Sequence, residues 1–149
     1  LFPGRRQSRT MVEGIVVVYD AYYANPLSMR AALKAFEREQ SGGGKWLVLG
    51  GMLELGDWEE KEHVGLGRAA GRGPWAGILA VGSLGDLIAR GVETTQFPRE
   101  RLFRCKDNAE AVSKLLGRAK VNDMILLKAS RGMHLEEVID GMASQRRQP

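Results

Sequence analysis

Five short apolar runs, each followed by residues spaced as in an amphipathic helix, constrain the fold of this 149-residue chain most strongly. The runs span residues 15–19, 46–49, 78–81, 102–105 and 124–127. Short, continuous apolar runs are typical of strands that are buried on both faces of a parallel sheet. Their alternation with helical stretches predicts an α/β fold, a single Rossmann-like, doubly wound domain with a mostly parallel sheet and helices on both faces.

Short polar residues before the helical stretches predict where the helices begin. Asn25 precedes a proline and is expected to cap the first helix. Asp57, Ser83 and Asp107 are the expected caps of the next three helices. A last helix is expected from about residue 134 to 142.

The two ends of the chain do not fit the strand–helix pattern. Residues 1–14 match none of the units, so they are expected to be a linker or a remnant of a preceding central domain. Residues 15–144 are the predicted domain, and residues 145–149 are a basic tail. Much of the net charge of +4 comes from arginines near the ends, which favours solvated segments.

Composition excludes several classes of protein. Basic residues are not interleaved with aromatic ones in a stripe, so nucleic-acid binding is not expected. The apolar runs are too short for membrane insertion, and no secretory signal is visible. Cys105 is the only cysteine, so we expect a buried structural thiol in a cytoplasmic protein.

Polar motifs follow three of the five apolar runs, at residues 20–28, 50–56 and 128–137. The carboxyl ends of parallel strands lie at one edge of a sheet, and ligands bind at that edge in open α/β folds. The three motifs are therefore expected to lie on the same side of one domain.

The candidate site residues each allow two interpretations. Asp20 is either a turn residue or a carboxylate that accepts ribose hydroxyls or positions a cation. Asn25 is a helix cap, a ligand contact, or both. Lys128, Ser130 and Arg131 place two cations and a hydroxyl at one strand end, which suits a carboxylate or a phosphate. The alternative for this cluster is a solvated basic turn.

Other features do not predict a catalytic or metal site. Residues 42–45 read Gly-Gly-Gly-Lys, but they connect a helix to a strand and lack the following Ser or Thr, so a helix-terminating loop is expected instead of a phosphate loop. With one cysteine and two histidines no metal site is expected, and His63 is expected at the surface of a charged helix. The chain thus lacks an evident nucleotide cradle of its own.

The three motifs resemble those of the Mur ligase C-terminal domain, most closely the MurF type, which adds D-alanyl-D-alanine to UDP-N-acetylmuramoyl-tripeptide. The family patterns are DxYNANPxS, GDMLELG followed by a histidine, and KGSRGM. This chain has DAYYANPLS at 20–28, GGMLELG at 50–56 with His63, and KASRGM at 128–133. Tyr23, Gly51 and Ala129 replace the usual Asn, Asp and Gly, and the resemblance covers about residues 3–140.

This resemblance implies one domain of a three-domain, ATP-dependent ligase of bacterial peptidoglycan synthesis. In the family, ATP and Mg²⁺ are bound mainly by a central domain, and the UDP-sugar peptide by an N-terminal domain. The peptide carboxylate becomes an acyl phosphate, which the amine of D-alanyl-D-alanine attacks. By resemblance, Arg5 and Asp20 contact ATP, and Asn25, Lys128, Ser130 and Arg131 lie near the incoming dipeptide. No catalytic residue is expected in this domain alone, so the isolated chain is expected to be inactive.

Two other functions remain open from the sequence. One is a free-standing, non-catalytic ligand-binding module of the same fold, which the departures at Tyr23, Gly51 and Ala129 would allow. The other is the equivalent domain of a related amide ligase, such as a folylpolyglutamate or cyanophycin synthetase. The stretch at residues 52–56, MLELG, argues against the second.

Overall fold

A six-stranded sheet with helices on both faces organises residues 7–20 and 24–146, the part of the chain that the computed structural model describes. The strands are β1 (Gln7–Val12), β2 (Ile15–Asp20), β3 (Lys45–Leu49), β4 (Gly77–Val81), β5 (Leu102–Cys105) and β6 (Met124–Lys128). The helices are α1 (Pro26–Arg38), α2 (Glu59–Ala70), α3 (Gly82–Glu93), α4 (Asn108–Arg118) and α5 (Glu136–Arg146). The order across the sheet is β1-β2-β6-β3-β4-β5.

The five apolar runs all form parallel strands, as the sequence predicts. β2 and β3 both pair with β6, which lies between them, and β4 and β5 follow on the other side of β3. Every residue of β6 is buried, because helices cover both faces of the sheet. One apolar cluster joins the sheet to α1, α2 and α3, and a second joins it to α4 and α5. The doubly wound α/β fold is confirmed.

Both ends of α1 are capped by side chains. The Asn25 Oδ1 atom accepts from the Ser28 backbone N–H at 2.8 Å, and the Ser28 hydroxyl accepts from the Asn25 N–H at 3.0 Å. At the other end, the Lys45 ammonium donates to the carbonyls of Phe36, Glu37 and Glu39 at 2.6–3.0 Å. A cation at a helix C-terminus is stabilising. Residues 42–45 therefore form a helix-terminating loop.

Three local predictions are wrong. Asp57 lies inside a 3₁₀ turn, Gly56–Trp58, and does not cap α2. Helix α3 starts at Gly82, one residue before the proposed cap Ser83, and has no side-chain cap. The last helix runs to Arg146, so residues 145 and 146 are helical and not a tail. Of the expected caps at Asp57, Ser83 and Asp107, the Asp107 cap is confirmed, since its carboxylate accepts from the Glu110 N–H at 2.9 Å.

The largest difference from the sequence prediction is β1, which lies within the proposed linker of residues 1–14. Gln7–Val12 pairs antiparallel with β2, and its register places Gln7 opposite Asp20. Most of its side chains are exposed, so no apolar pattern marked it as a strand. The Arg9 guanidinium also binds the Glu39 carboxylate beyond α1, with an N–O distance of 2.6 Å.

No helix within residues 7–20 and 24–146 combines the length and apolar character that crossing a membrane would require.

Candidate functional site

The loops that follow β3 and β6 are joined by hydrogen bonds at the carboxyl edge of the sheet. The Gly50 N–H donates to the Lys128 carbonyl at 3.0 Å, and the Ser130 N–H donates to the Gly51 carbonyl at 2.9 Å. The Ser130 hydroxyl in turn accepts from the Leu53 N–H at 2.8 Å. Two of the three polar motifs therefore form one continuous surface, as the sequence predicts.

Asp20 and Lys128 form an ion pair at the ends of β2 and β6. The Lys128 Nζ atom lies 3.1 Å from Asp20 Oδ1, and their side chains are 1% and 17% exposed. Burial lowers the pKa of the Lys128 ammonium below its usual value, and the Asp20 carboxylate opposes that shift. Lys128 is therefore a buried, paired cation, and the interpretation as a solvated basic turn is wrong for it.

Arg131 extends from a 3₁₀ turn, Arg131–Met133, directly after this pair. It is exposed, and its guanidinium has no hydrogen-bond or ion-pair partner among the residues that the structure describes. A guanidinium offers a planar fork that matches a carboxylate or a phosphate in two-point contact. The cluster of Lys128, Ser130 and Arg131 thus divides into two supporting residues and one cation that faces solvent.

A second contact ties β2 to the start of α5. The Tyr19 hydroxyl donates to the Glu136 carboxylate at 2.7 Å, and His134 Nδ1 lies 3.2 Å from the other oxygen of that carboxylate. Burial and the Glu136 carboxylate raise the pKa of Tyr19, while the nearby Arg131 cation opposes this. The hydrogen bond from Tyr19 lowers the pKa of Glu136. This contact joins the end of β2 to the first turn of α5.

His63 is a residue whose location the sequence prediction missed. It was expected at the surface, but it is fully buried. Its Nδ1 lies 2.6 Å from the Glu59 carbonyl, which can only accept, so Nδ1 carries the proton. Nε2 is then free to accept the Met52 N–H at 2.9 Å. His63 therefore fixes the loop after β3 to α2, and its only sequence signal was its place in the second family pattern.

Two of the departures from the family patterns fit their surroundings. A Cβ on Gly51 would lie 2.7 Å from the Leu84 Cβ, so the α3 side chain of Leu84 fills the space that an aspartate would need. Ala129 is buried, and a Cβ on Gly50 would come within 2.8 Å of its methyl group. Position 51 thus has no carboxylate, and an apolar side chain takes its place.

The remaining predicted residues lie apart from this group or outside the described residues. Asn25 is exposed at the start of α1, where it acts as the helix cap. Arg5 and Tyr23 lie outside the described residues. Cys105 is buried, as predicted, and burial raises the pKa of its thiol to about 11. The structure thus brings together Asp20, Lys128 and Ser130, with Arg131 beside them.

A separate cavity among the described residues lies away from the polar motifs. It has a volume of about 770 Å³ and is lined by the C-terminal ends of α2 and α3 and the segments before β4 and β5. These segments lie at the amino edge of the parallel sheet, opposite the polar motifs. None of the predicted site residues lines it.

Comparison with known proteins agrees with these motifs. Residues 4–131 match the family described as Mur ligase, glutamate ligase domain. The chain is 38% identical over 126 residues to the UDP-N-acetylmuramoyl-tripeptide–D-alanyl-D-alanine ligase of Bacillus subtilis, covering 85% of this chain and 27% of that protein. It is 31% identical to the enzyme of the same name from Mycobacterium tuberculosis H37Rv, covering 94% of this chain and 31% of that protein.

Solved structures show the same fold. A MurF from Acinetobacter baumannii superposes with a TM-score of 0.79 at 29% identity, covering 93% of this chain and 30% of that chain. The MurF ligase of Thermotoga maritima, solved in complex with ADP, has a TM-score of 0.77 at 24% identity, covering 99% of this chain and 33% of that chain. The chain spans about a third or less of the length of these relatives. On the family match and these identities, the chain belongs to the Mur ligase family, as a domain of the glutamate ligase type.

Proposed function

We propose that this chain acts as the C-terminal domain of an ATP-dependent ligase that joins D-alanyl-D-alanine to UDP-N-acetylmuramoyl-tripeptide in the bacterial cytoplasm. Its proposed task is to bind the incoming dipeptide and to complete the nucleotide site. The observation that carries this proposal is the exposed Arg131 guanidinium, without a partner among the described residues, at the edge where the three family motifs lie. The relatives at 31% and 38% identity are named for this reaction.

Arg131 is the proposed anchor for the carboxylate of the dipeptide. D-Alanyl-D-alanine has one carboxylate and one amine, and a fork on the carboxylate orients the amine toward the reacting carbon. The buried Asp20–Lys128 pair lies beside it and has little net charge, so it leaves Arg131 as the local cation that faces solvent. Ser130 holds the Leu53 backbone, and we assign it a supporting contact near the dipeptide.

Asp20 is the proposed contact for the ribose of ATP. One of its oxygens faces Lys128, and the side chain remains 17% exposed, so the carboxylate can also accept a ribose hydroxyl. Arg5 is the proposed contact near the phosphates. It comes two residues before Gln7 in the sequence, and Gln7 pairs with Asp20. When bound, ATP supplies the phosphoryl group that activates the peptide carboxylate. The proposal assigns ATP and Mg²⁺ mainly to a central domain and the UDP-sugar peptide to an N-terminal domain.

The test is an assay of the full-length product of the gene that encodes this chain. We expect phosphate release that requires ATP, UDP-N-acetylmuramoyl-tripeptide and D-alanyl-D-alanine together, and no release by the 149-residue chain alone. Release that ignores the dipeptide, or that depends on glutamate or folate substrates instead, would contradict the proposal. Dipeptide binding by the full-length protein without any phosphate release would favour a non-catalytic binding module.

Substitution of Arg131 tests the residue assignment. Removal of one side of a desolvated charge pair costs roughly 2–5 kcal/mol. Arg131→Ala should therefore raise the KM for the dipeptide at least tens-fold and leave the KM for ATP nearly unchanged. Arg131→Lys should recover part of the loss, because lysine lacks the planar fork. Arg101→Ala, an exposed arginine at the amino edge, is the control and should change neither KM.

A further inference from the structure

We infer that Asn108 is a positioning residue that holds the 3₁₀ turn Arg131–Met133 in place and so fixes the direction of Arg131. This inference rests on the proposed role of Arg131 in dipeptide binding. Asn108 lies at the first position of α4, outside all three family motifs. Its carboxamide reaches across to the loop after β6.

The contacts of Asn108 converge on the end of that turn. Its Nδ2 atom lies 3.1 Å from the Met133 carbonyl oxygen, 3.0 Å from the His134 carbonyl oxygen and 2.9 Å from Glu137 Oε1. The amide nitrogen carries two hydrogens, and three acceptors lie within reach of it. At least one hydrogen is therefore shared between two acceptors. The Asn108 side chain thus binds the carbonyl of Met133, at the end of the 3₁₀ turn, and the carbonyl of the next residue, His134. It also binds the Glu137 carboxylate at the start of α5.

The backbone that Asn108 holds is one that needs support. His134, the residue directly after the turn, has φ 51° and ψ 46°, the left-handed conformation that a residue with a side chain rarely adopts. Such a conformation is unfavourable and persists where surrounding contacts enforce it. The Asn108 bonds to Met133 and His134 are contacts of this kind.

The other supports of the turn act at different points. The Met133 N–H donates to the Ser130 carbonyl at 2.9 Å, which closes the beginning of the turn. Tyr19 binds Glu136, beyond its end. The backbone also holds the end of the turn, since the His134 N–H donates to the Arg131 carbonyl and the Glu137 N–H to the His134 carbonyl, both at 3.0 Å. Without Asn108 these backbone bonds remain, while the side-chain bonds to the Met133 and His134 carbonyls are lost. The guanidinium of Arg131 would then sample more directions, which weakens a two-point contact more than a single-point one.

Asn108→Asp separates this role from the stability of α4. The substitution keeps the shape but places a carboxylate oxygen against two carbonyls and the Glu137 carboxylate, all of which only accept. An acidic residue in the first turn of a helix is favourable, so α4 itself is not weakened. Asp107→Ala is the matched control, because it removes the cap of α4 and touches no part of the turn.

The experiment measures dipeptide and ATP kinetics of the full-length ligase with Asn108→Asp, Arg131→Ala and both together. We expect Asn108→Asp to raise the KM for the dipeptide by about tenfold with little change for ATP. Because Asn108 acts through Arg131, the double variant should match Arg131→Ala alone. Asp107→Ala should lower the melting temperature and leave both KM values unchanged.

Each alternative outcome overturns a distinct statement. If Arg131→Ala raises the KM and Asn108→Asp does not, the positioning role is wrong while the proposed function stands. If the two effects multiply in the double variant, Asn108 acts by another route and the inference is wrong. If Arg131→Ala leaves the KM unchanged, the dipeptide assignment fails and the inference fails with it. Amide exchange of His134 in the 149-residue chain is a separate check, and it should accelerate in Asn108→Asp and not in Asp107→Ala.

Discussion

The carboxyl edge of the sheet has two halves that are built differently. Beyond β3 and β6 the chain forms loops, and side chains from other elements bind their backbone: His63 binds Met52, Ser130 binds Leu53, and Asn108 binds Met133. Beyond β4 the chain enters α3 directly, and beyond β5 only two residues precede α4. The candidate site lies in the half with loops. There the backbone conformation is not set by a strand or a helix.

The same contrast is visible in backbone conformation. In the half with loops, Glu54 and His134 have positive φ despite their side chains, whereas the direct connection after β4 uses Gly82 with φ 83°. Glycine adopts such angles at little cost, and other residues do not. Strain of this kind concentrates at functional sites, where neighbouring contacts maintain it. The chain beyond β4 is thus a short connection, whereas in the half with loops specific contacts maintain the backbone conformation.

The largest expected effect comes from His63. In His63→Ala the buried Met52 N–H loses its acceptor and a cavity opens, so we expect a loss of about 3 kcal/mol in the free energy of unfolding. Ser83→Ala, at the start of α3 in the other half, removes an exposed side chain and should change it by less than about 0.5 kcal/mol. Urea unfolding of the 149-residue chain measures both, and similar losses would remove the distinction between the halves.

The buried Asp20–Lys128 ion pair and the exposed ion pairs of Arg104 should differ next most strongly. Lys128→Met keeps the volume but leaves the Asp20 carboxylate partly buried without this partner, for an expected loss of about 2 kcal/mol. Arg104→Ala, at β5, breaks exposed pairs with Glu93 and Asp86 and should cost less than about 1 kcal/mol. Equal losses on urea unfolding would mean that water screens the Asp20–Lys128 pair as fully as the surface pairs.

A substitution at Gly82 tests the half without loops. A Cβ on Gly82 would meet nothing within 4 Å, so only the backbone conformation opposes a side chain there. Gly82→Ala should therefore cost about 1 kcal/mol through its positive φ alone. Gly117→Ala is a matched control, because it also has open space but lies within α4. It should be neutral or stabilising on thermal unfolding, since alanine favours helices. A loss at Gly117 equal to that at Gly82 would contradict the explanation by φ.

An effect of similar size to that at Gly82 depends on pH. The Tyr19 hydrogen bond lowers the pKa of Glu136 from 4.5, so its stabilisation is present above pH 4.5 and is lost as the pH falls through the lowered value. The difference in stability between the parent chain and Tyr19→Phe should be about 1 kcal/mol near neutral pH and should shrink in acid. When Glu136→Gln is also present, the stability difference caused by Tyr19→Phe should not depend on pH. A remaining dependence in acid would mean that a group other than Glu136 causes it.

The sequence predicted the parts of the fold whose signal is local. Continuous apolar runs identified all five parallel strands, and Asn25 and Asp107 identified two helix starts, because burial on both faces and capping each depend on neighbouring residues. β1 was missed because an exposed edge strand is stabilised by backbone pairing with β2, which leaves no apolar pattern. The predicted caps Asp57 and Ser83 were wrong because helical backbone begins before each of them, at the 3₁₀ turn Gly56–Trp58 and at Gly82.

The candidate site was predicted in outline and missed in its connections. The motifs indicated which strand ends carry polar residues, and they correctly placed Asp20, Lys128, Ser130 and Arg131 at one edge. They could not show that Asp20 pairs with Lys128, because that contact depends on the adjacency of β2 and β6 in the sheet. Asn108 was missed for the same reason, since its partners lie 25–29 residues away in sequence. The partners of His63 are only 4 and 11 residues away, but its burial depends on how the loop after β3 packs against α2.

The antiparallel pairing of β1 has a mechanical consequence. Because Gln7 lies opposite Asp20, the chain enters the sheet at the same edge as the candidate site. A body that turns about a pivot moves least near the pivot and most far from it. A rigid group joined to the chain before β1 would therefore turn about a point beside Asp20. Contacts at Asp20 would then persist through the rotation, whereas contacts near β4 and β5 would form and break.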